Sequence, residues 1–116
     1  ADIPRVNMDT TITHTLLEIT EKKLGMTTVL DAQGEIKGVF TDGDLRRVLD
    51  KNIDIHATSV GSVMSGKFKS ISENALASEA ALLMQDNAIY TLVVSSPDSK
   101  LKGVITMHDL LRANVV

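Results

Sequence analysis

The chain has 116 residues, 43% of them apolar and 23% charged, with a net charge of −3. That is the make-up of one compact globular module, and its mild acidity leaves no electrostatic footprint for nucleic acid. Cysteine is absent, which excludes a disulfide framework, a thiolate metal site and a cysteine nucleophile, and fits a cytoplasmic protein.

No apolar run approaches the roughly 20 residues that a membrane helix needs. No charged-then-apolar leader opens the chain, so no signal peptide is expected. Phe40, Phe68 and Tyr90 are the whole aromatic complement, too few for the stacking platforms of single-stranded nucleic acid binders.

Residues 3–8 read as a short extended lead-in, because Pro4 biases Ile3 away from helix. Ile12, Leu16, Ile19 and Leu24 then form one apolar stripe, which predicts a helix of about three turns. Thr13 is its expected N-cap and Gly25 its expected C-cap. Met26 to Leu30 reads as a strand. The turn Asp31-Ala32-Gln33-Gly34 leads into a second strand, Glu35 to Phe40, so the two make a hairpin. Thr41 ends the apolar run and carries the oxygen of an N-cap. Asp42 and Asp44 fall where a helix dipole favours negative charge, and Leu45, Val48 and Leu49 carry a helix from Asp44 to about Asp50.

The whole order then returns 65 residues later. Gly38-Val39-Phe40-Thr41-Asp42-Gly43-Asp44-Leu45-Arg46-Arg47 is matched by Gly103-Val104-Ile105-Thr106-Met107-His108-Asp109-Leu110-Leu111-Arg112. The second copy is expected to hold a lead-in at Phe68 to Ile71 and a helix capped by Ser78. That helix has its apolar face on Ala77, Ala80, Ala81, Met84 and Ala88. A strand at Ile89 to Val94, a turn at Ser96-Pro97-Asp98-Ser99, a strand at Leu101 to Ile105 and a last helix from Asp109 to about Ala113 complete it.

Each half is β-α-β-β-α, so the predicted fold is α+β, two such repeats with pseudo-two-fold symmetry. The boundaries are 1–50 for the first repeat, 51–67 for a linker, and 68–116 for the second repeat. Val60, Val63 and Met64 predict a short helix in the linker. Its counterpart would lie in front of Ala1, so the chain reads as a fragment of a longer protein.

In both copies a Thr and an Asp stand three apart at a strand-to-helix turn, where a hydroxyl and a carboxylate can converge on the vicinal hydroxyls of a ribose. The blander reading is that Thr41 and Thr106 only cap helices and that Asp44 and Asp109 only favour a helix start. Arg46, Arg47 and Arg112 are the nearby cations, as anion contacts or as ion-pair partners on a helix face. Asp42 sets a carboxylate beside the first turn, whereas Met107 and His108 stand at the second. Histidine can donate to an anion, more strongly when protonated, so the second site is favoured for an anionic ligand. No two histidines have metal-ligand spacing, and no nucleophile stands beside a base. No metal, required cofactor or catalytic residue is therefore expected.

The doubled Gly-Val-apolar-Thr-x-x-Asp-Leu-x-Arg motif, its hairpins and the Val-x-x-Val-Met lead-in at Val60 to Met64 resemble a tandem pair of CBS domains, the Bateman module. Leu24-Gly25-Met26-Thr27, Phe40 to Arg47 and Met107 to Ala113 more closely resemble the C-terminal CBS pair of D-arabinose 5-phosphate isomerases. In that family a sugar-isomerase (SIS) domain interconverts D-ribulose 5-phosphate and D-arabinose 5-phosphate for synthesis of Kdo, a sugar acid of lipopolysaccharide or capsule. This chain has no positions matching that catalytic domain.

The resemblance implies a nucleotide in the cleft between the halves, with Thr41 and Asp44, or Thr106 and Asp109, on its ribose. Val29, Phe40, Val94 and Ile105 would line base pockets. It implies a regulatory module sensing a nucleotide or sugar nucleotide, with CMP-Kdo or an adenine nucleotide as effector. Its partners would be the SIS domain and a second CBS pair, giving a homodimer within a larger, tetrameric parent, with no nucleic acid and no membrane. The alternative is a structural oligomerisation module with no physiological ligand.

Overall fold

The structure, a computed structural model, describes residues 3–22, 24–98 and 100–113. The chain divides into two compact units, Ala1–Lys67 and Phe68–Val116.

The first unit holds β1 (Arg5–Asn7), α1 (Ile12–Lys22), β2 (Met26–Leu30), β3 (Ile36–Thr41) and α2 (Asp42–Asp50), followed by a 3-10 turn at Val60–Ser62. Its sheet has the order β1-β2-β3, with β1 parallel and β3 antiparallel to β2. The β2–β3 hairpin turns at Asp31, whose carboxylate accepts the N–H groups of Gln33 and Glu35, both at 2.9 Å. Gly34 takes φ +82°, a conformation side chains resist.

The core gathers Ile12 and Ile19 from α1, Val29 and Phe40 from the sheet, Val48 from α2 and Val60 from the 3-10 turn. Burying side chains of this size contributes about 1.5–3 kcal/mol each. Buried Thr15 and Thr28 are satisfied by donating to Thr11 O at 2.8 Å and Pro4 O at 2.7 Å, so their hydroxyls carry no desolvation penalty.

The second unit repeats the order as β4 (Ser70–Ser72), α3 (Ala77–Asn87), β5 (Thr91–Ser95), β6 (Leu101–Thr106) and α4 (Met107–Arg112). Its sheet is β4-β5-β6 with the same directions. Ala80, Ala81, Met84, Leu92 and Leu110 form its core. The α+β class and the β-α-β-β-α order of each half are as the sequence predicts.

Several local expectations give way. Thr13 does not cap α1. Thr11 does, accepting the His14 N–H at 3.3 Å, because the first apolar residue of the stripe, Ile12, is already helical. Thr13 instead donates its hydroxyl to Ile55 O at 3.0 Å. Leu24 lies beyond the end of α1, near Gly25 at φ +72°. Ser78 is inside α3. The capping position is Leu76, which has no side-chain oxygen, and only the reverse bond forms, from Leu76 N–H to Glu79 at 3.5 Å. Both motif helices start two residues earlier than expected, directly after their capping Thr. The helix expected at Val60, Val63 and Met64 is one 3-10 turn, and Met64 N–H closes back on Val60 O at 2.8 Å. Ser99, in the expected second turn, lies outside the described residues.

The segment after α2 packs onto the first unit. Ile53, Ile55, Val63 and Met64 lie against its core. Val60 N–H donates to Thr10 O at 2.7 Å, Gly61 N–H to Met8 O at 2.9 Å, and Ser65 exchanges two hydrogen bonds with Val39 at 2.9 and 3.0 Å. The close approach needs two glycines. A Cβ on Gly38 would sit 2.6 Å from Ser65 O, and one on Gly61 would sit 2.8 Å from Met8 O.

Candidate functional site

Each strand-to-helix motif folds as a reciprocal cap. At the first, Thr41 is the last residue of β3 and the N-cap of α2. Its hydroxyl oxygen accepts the Asp44 N–H at 3.4 Å, while the Asp44 carboxylate accepts the Thr41 N–H at 2.9 Å. The two residues thus satisfy each other's free helix-start groups, which is why a Thr and an Asp three apart suit this turn. The Thr41 hydroxyl also lies within donating distance of the carboxylate, at 3.1 Å. Arg47, one turn along α2, donates to the other carboxylate oxygen.

The second motif repeats the frame. Thr106 caps α4, accepts the Asp109 N–H at 3.1 Å, and donates its own N–H to the Asp109 carboxylate at 2.9 Å. Arg112 donates to the second carboxylate oxygen at 3.1 Å. The Thr106 N–H bond is the main reason that the Asp109 carboxyl is held below its usual value; the Thr106 side chain and Arg112 add to it against a cost from burial.

Exposure separates the copies. The Asp44 side chain is 3% exposed and the Asp109 side chain 39%. A carboxylate as enclosed as Asp44, with three donors from its own turn, has little left for a ligand. Asp109 keeps an open side while remaining oriented.

Of the remaining expected residues, Val29 and Phe40 are fully buried in the core of the first unit. Their side chains pack in that core. Val94 and Ile105 are half-buried on β5 and β6, and His108 is exposed on the first turn of α4. Arg47 and Arg112 are ion-pair partners of the motif aspartates, while Arg46 is exposed on α2. An open concavity of about 360 Å³ lies elsewhere on the first unit, lined by Arg5, Val6, Asn7, Thr10 and Leu30. Among the described residues no three His, Asp or Glu side chains gather as a metal site would require. No helix among them is long and apolar enough to cross a membrane.

The repeat of strand, cap and carboxylate can be set beside known proteins. The family model for the CBS domain matches residues 1–51 and again 60–115. The chain belongs to the CBS-domain family.

Several curated relatives are named arabinose 5-phosphate isomerase KdsD. The one from Pseudomonas aeruginosa is 46% identical over 114 residues, covering 98% of this chain and 35% of the relative. The one from Escherichia coli K12 is 44% identical over 115 residues, covering 99% and 35%. This CBS pair therefore spans about a third of the length of the curated relatives it matches.

Among solved structures, a CBS domain protein from Pyrobaculum aerophilum complexed with AMP superposes with a TM-score of 0.84 at 17% identity, covering 95% of this chain and 84% of that one. CBSX2 in complex with AMP gives 0.84 at 24% identity, covering 97% and 87%. At these identities the likeness establishes the fold.

The sequence reading missed two features of the structure. Thr11 as a cap was hidden because two more threonines flank the helix start. The docking of residues 53–65 left a trace in Gly38 and Gly61, glycines set by close backbone approach and not by a positive φ.

Proposed function

We propose that this CBS pair is the regulatory, ligand-sensing part of an arabinose 5-phosphate isomerase, and that it holds a nucleotide or sugar nucleotide at the second motif. The observation that carries the reading is the open, oriented carboxylate of Asp109 beside Thr106, in contrast to the enclosed Asp44. An aligned carboxylate and hydroxyl suit a ribose diol, with Val94 and Ile105 as apolar neighbours for a base and His108 as a donor to an anionic group. The nucleotide class is supported by the AMP complexes among its structural relatives. The enzyme context is supported by its likeness to the KdsD isomerases.

Within that class, CMP-Kdo is the end-product effector and adenine nucleotides are the general alternative. Ligand acts by binding one arrangement of the parent better than another, so its effect on the SIS isomerase domain is limited to that difference in affinity. The module works as a homodimer.

The second reading, an oligomerisation module without a ligand, is favoured by Asp44, whose carboxylate is wholly engaged in its own turn. Titration calorimetry on Thr106→Ala and Asp109→Ala separates the two. Loss of charge-assisted bonds to a ribose weakens ligand binding roughly 10- to 100-fold with the association state unchanged. Unchanged affinity in both variants would remove the second motif from the site.

A further inference from the structure

β1 and β4 are edge strands that present the same backbone groups, and only one copy covers them. β1 bonds to β2 through alternate residues. Pro4 O accepts the Thr28 N–H at 3.1 Å, and the Met8 N–H donates to Leu30 O at 3.2 Å. Arg5 and Asn7, on either side of Val6, therefore turn their N–H and C=O groups away from the sheet. Side chains cover both donors. Glu18 of α1 accepts the Arg5 N–H at 3.1 Å, and the Thr10 hydroxyl accepts the Asn7 N–H at 3.1 Å.

β4 has the same alternation. Lys69 O accepts the Val93 N–H at 3.3 Å, and the Glu73 N–H donates to Ser95 O at 3.1 Å. Ser70 and Ser72 thus face outward as Arg5 and Asn7 do. The covering residues are gone. Leu83 stands 65 residues after Glu18, and Ala75 stands 65 residues after Thr10. Neither side chain has an acceptor. No described residue accepts the outward N–H of Ser70 or Ser72, and both serines are exposed. Leu76, just beyond the strand, is 66% exposed. A bare edge of this kind is a template for another strand.

The residues along the edge select the strand that fits. Lys69-Ser70-Ile71-Ser72-Glu73 is complementary in charge to its own reverse about Ile71. We propose that β4 is a pairing edge for β4 of a second copy of this chain, antiparallel and centred on Ile71. In that register Ser70 of each copy lies opposite Ser72 of the other. These residues carry the outward N–H and C=O groups, so they form a hydrogen-bonded antiparallel pair. Lys69 of each copy comes opposite Glu73 of the other. A slip of one residue sets outward groups against inward ones, and a slip of two residues breaks both charge pairs. The matching stretch of the first unit, Pro4-Arg5-Val6-Asn7-Met8, has no such symmetry. The proposal rests on the homodimer reading above and gives it a surface in the second unit.

Sedimentation equilibrium on the 116-residue chain follows association, and amide hydrogen exchange by NMR follows the edge. The Ser70 and Ser72 amides gain protection as protein concentration rises, while those of Arg5 and Asn7 stay constant. Lys69→Glu and Glu73→Lys each weaken association about tenfold, because like charges then face each other at both ends of the pairing. The double variant recovers wild-type association, since its charge pairs are reversed but intact. Ala75→Thr, which supplies the cover that Thr10 gives Asn7, also weakens association. A dimer of unchanged strength in these single variants, with Ser70 and Ser72 amides exchanging freely, would overturn this edge and leave the homodimer standing. A double variant as weak as the single ones would overturn the register. A monomer at every concentration would overturn both the edge and the homodimer.

Discussion

Asp44 and Asp109 occupy the same place in the repeat and accept the same bond from the capping Thr, each at 2.9 Å, yet one is 3% exposed and the other 39%. A duplicated cap has become a structural lock in one copy and an open carboxylate in the other. The functional reading rests on that divergence.

The first consequence concerns stability. Asp44→Ala removes a nearly buried acceptor and leaves the Thr41 N–H without its partner, at a cost of about 1–3 kcal/mol. Asp109→Ala exposes its orphaned donor to water and costs less. Urea unfolding of the two variants should give the lower midpoint for Asp44→Ala. The reverse order would contradict the assignment of lock and open site.

The caps give a second pair of outcomes. Thr11→Ala removes a side-chain cap and costs about 1 kcal/mol. Ser78→Ala removes no cap, and alanine is the better helix former, so that variant is neutral or slightly stabilised. Thermal unfolding distinguishes them, and a loss on Ser78→Ala as large as that on Thr11→Ala would refute the assigned start of α3.

How far the fold could be read from the sequence follows from these same residues. The strands and helices were legible because apolar period and turn chemistry agree, and the repeat checks each half against the other. Caps were less legible, since Thr10, Thr11 and Thr13 crowd one helix start and only the backbone decides among them. The motif residues were legible as a pair, because Thr and Asp three apart suit a reciprocal cap. Their unequal exposure was not, because it depends on packing from residues distant in sequence. Val29 and Phe40 fit an apolar pocket wall and a core equally well by type, and their burial in the first unit's core depends on packing that the sequence does not display.

Phe40 supplies a third test. Phe40→Ala empties a fully buried site and costs about 3–5 kcal/mol. The milder Phe40→Leu should lower the melting temperature while leaving nucleotide affinity within about twofold, a change worth under 1 kcal/mol. An affinity loss larger than the stability loss would return Phe40 to the ligand site.

Acid supplies a fourth. The Asp109 carboxyl is held below its usual value of 3.8, chiefly by the Thr106 N–H. A carboxyl lowered by folding contributes stability that is fully present above the unfolded value and is lost as pH falls through the folded one. Wild type should therefore lose stability relative to Asp109→Asn as pH falls below about 4, and the two should run parallel between pH 5 and 8. Parallel curves throughout would show that the turn does not favour the ionised form.

The most direct measurement is thermal unfolding of wild type and Asp109→Ala with CMP-Kdo, CMP, AMP, ATP and arabinose 5-phosphate in turn. A ligand at about 100 times its dissociation constant adds about 2.7 kcal/mol, which raises the midpoint of a domain this size by roughly 10 °C. The account predicts such a rise with at least one nucleotide in wild type and little or none in Asp109→Ala. No rise with any nucleotide, or an equal rise in both proteins, would contradict it.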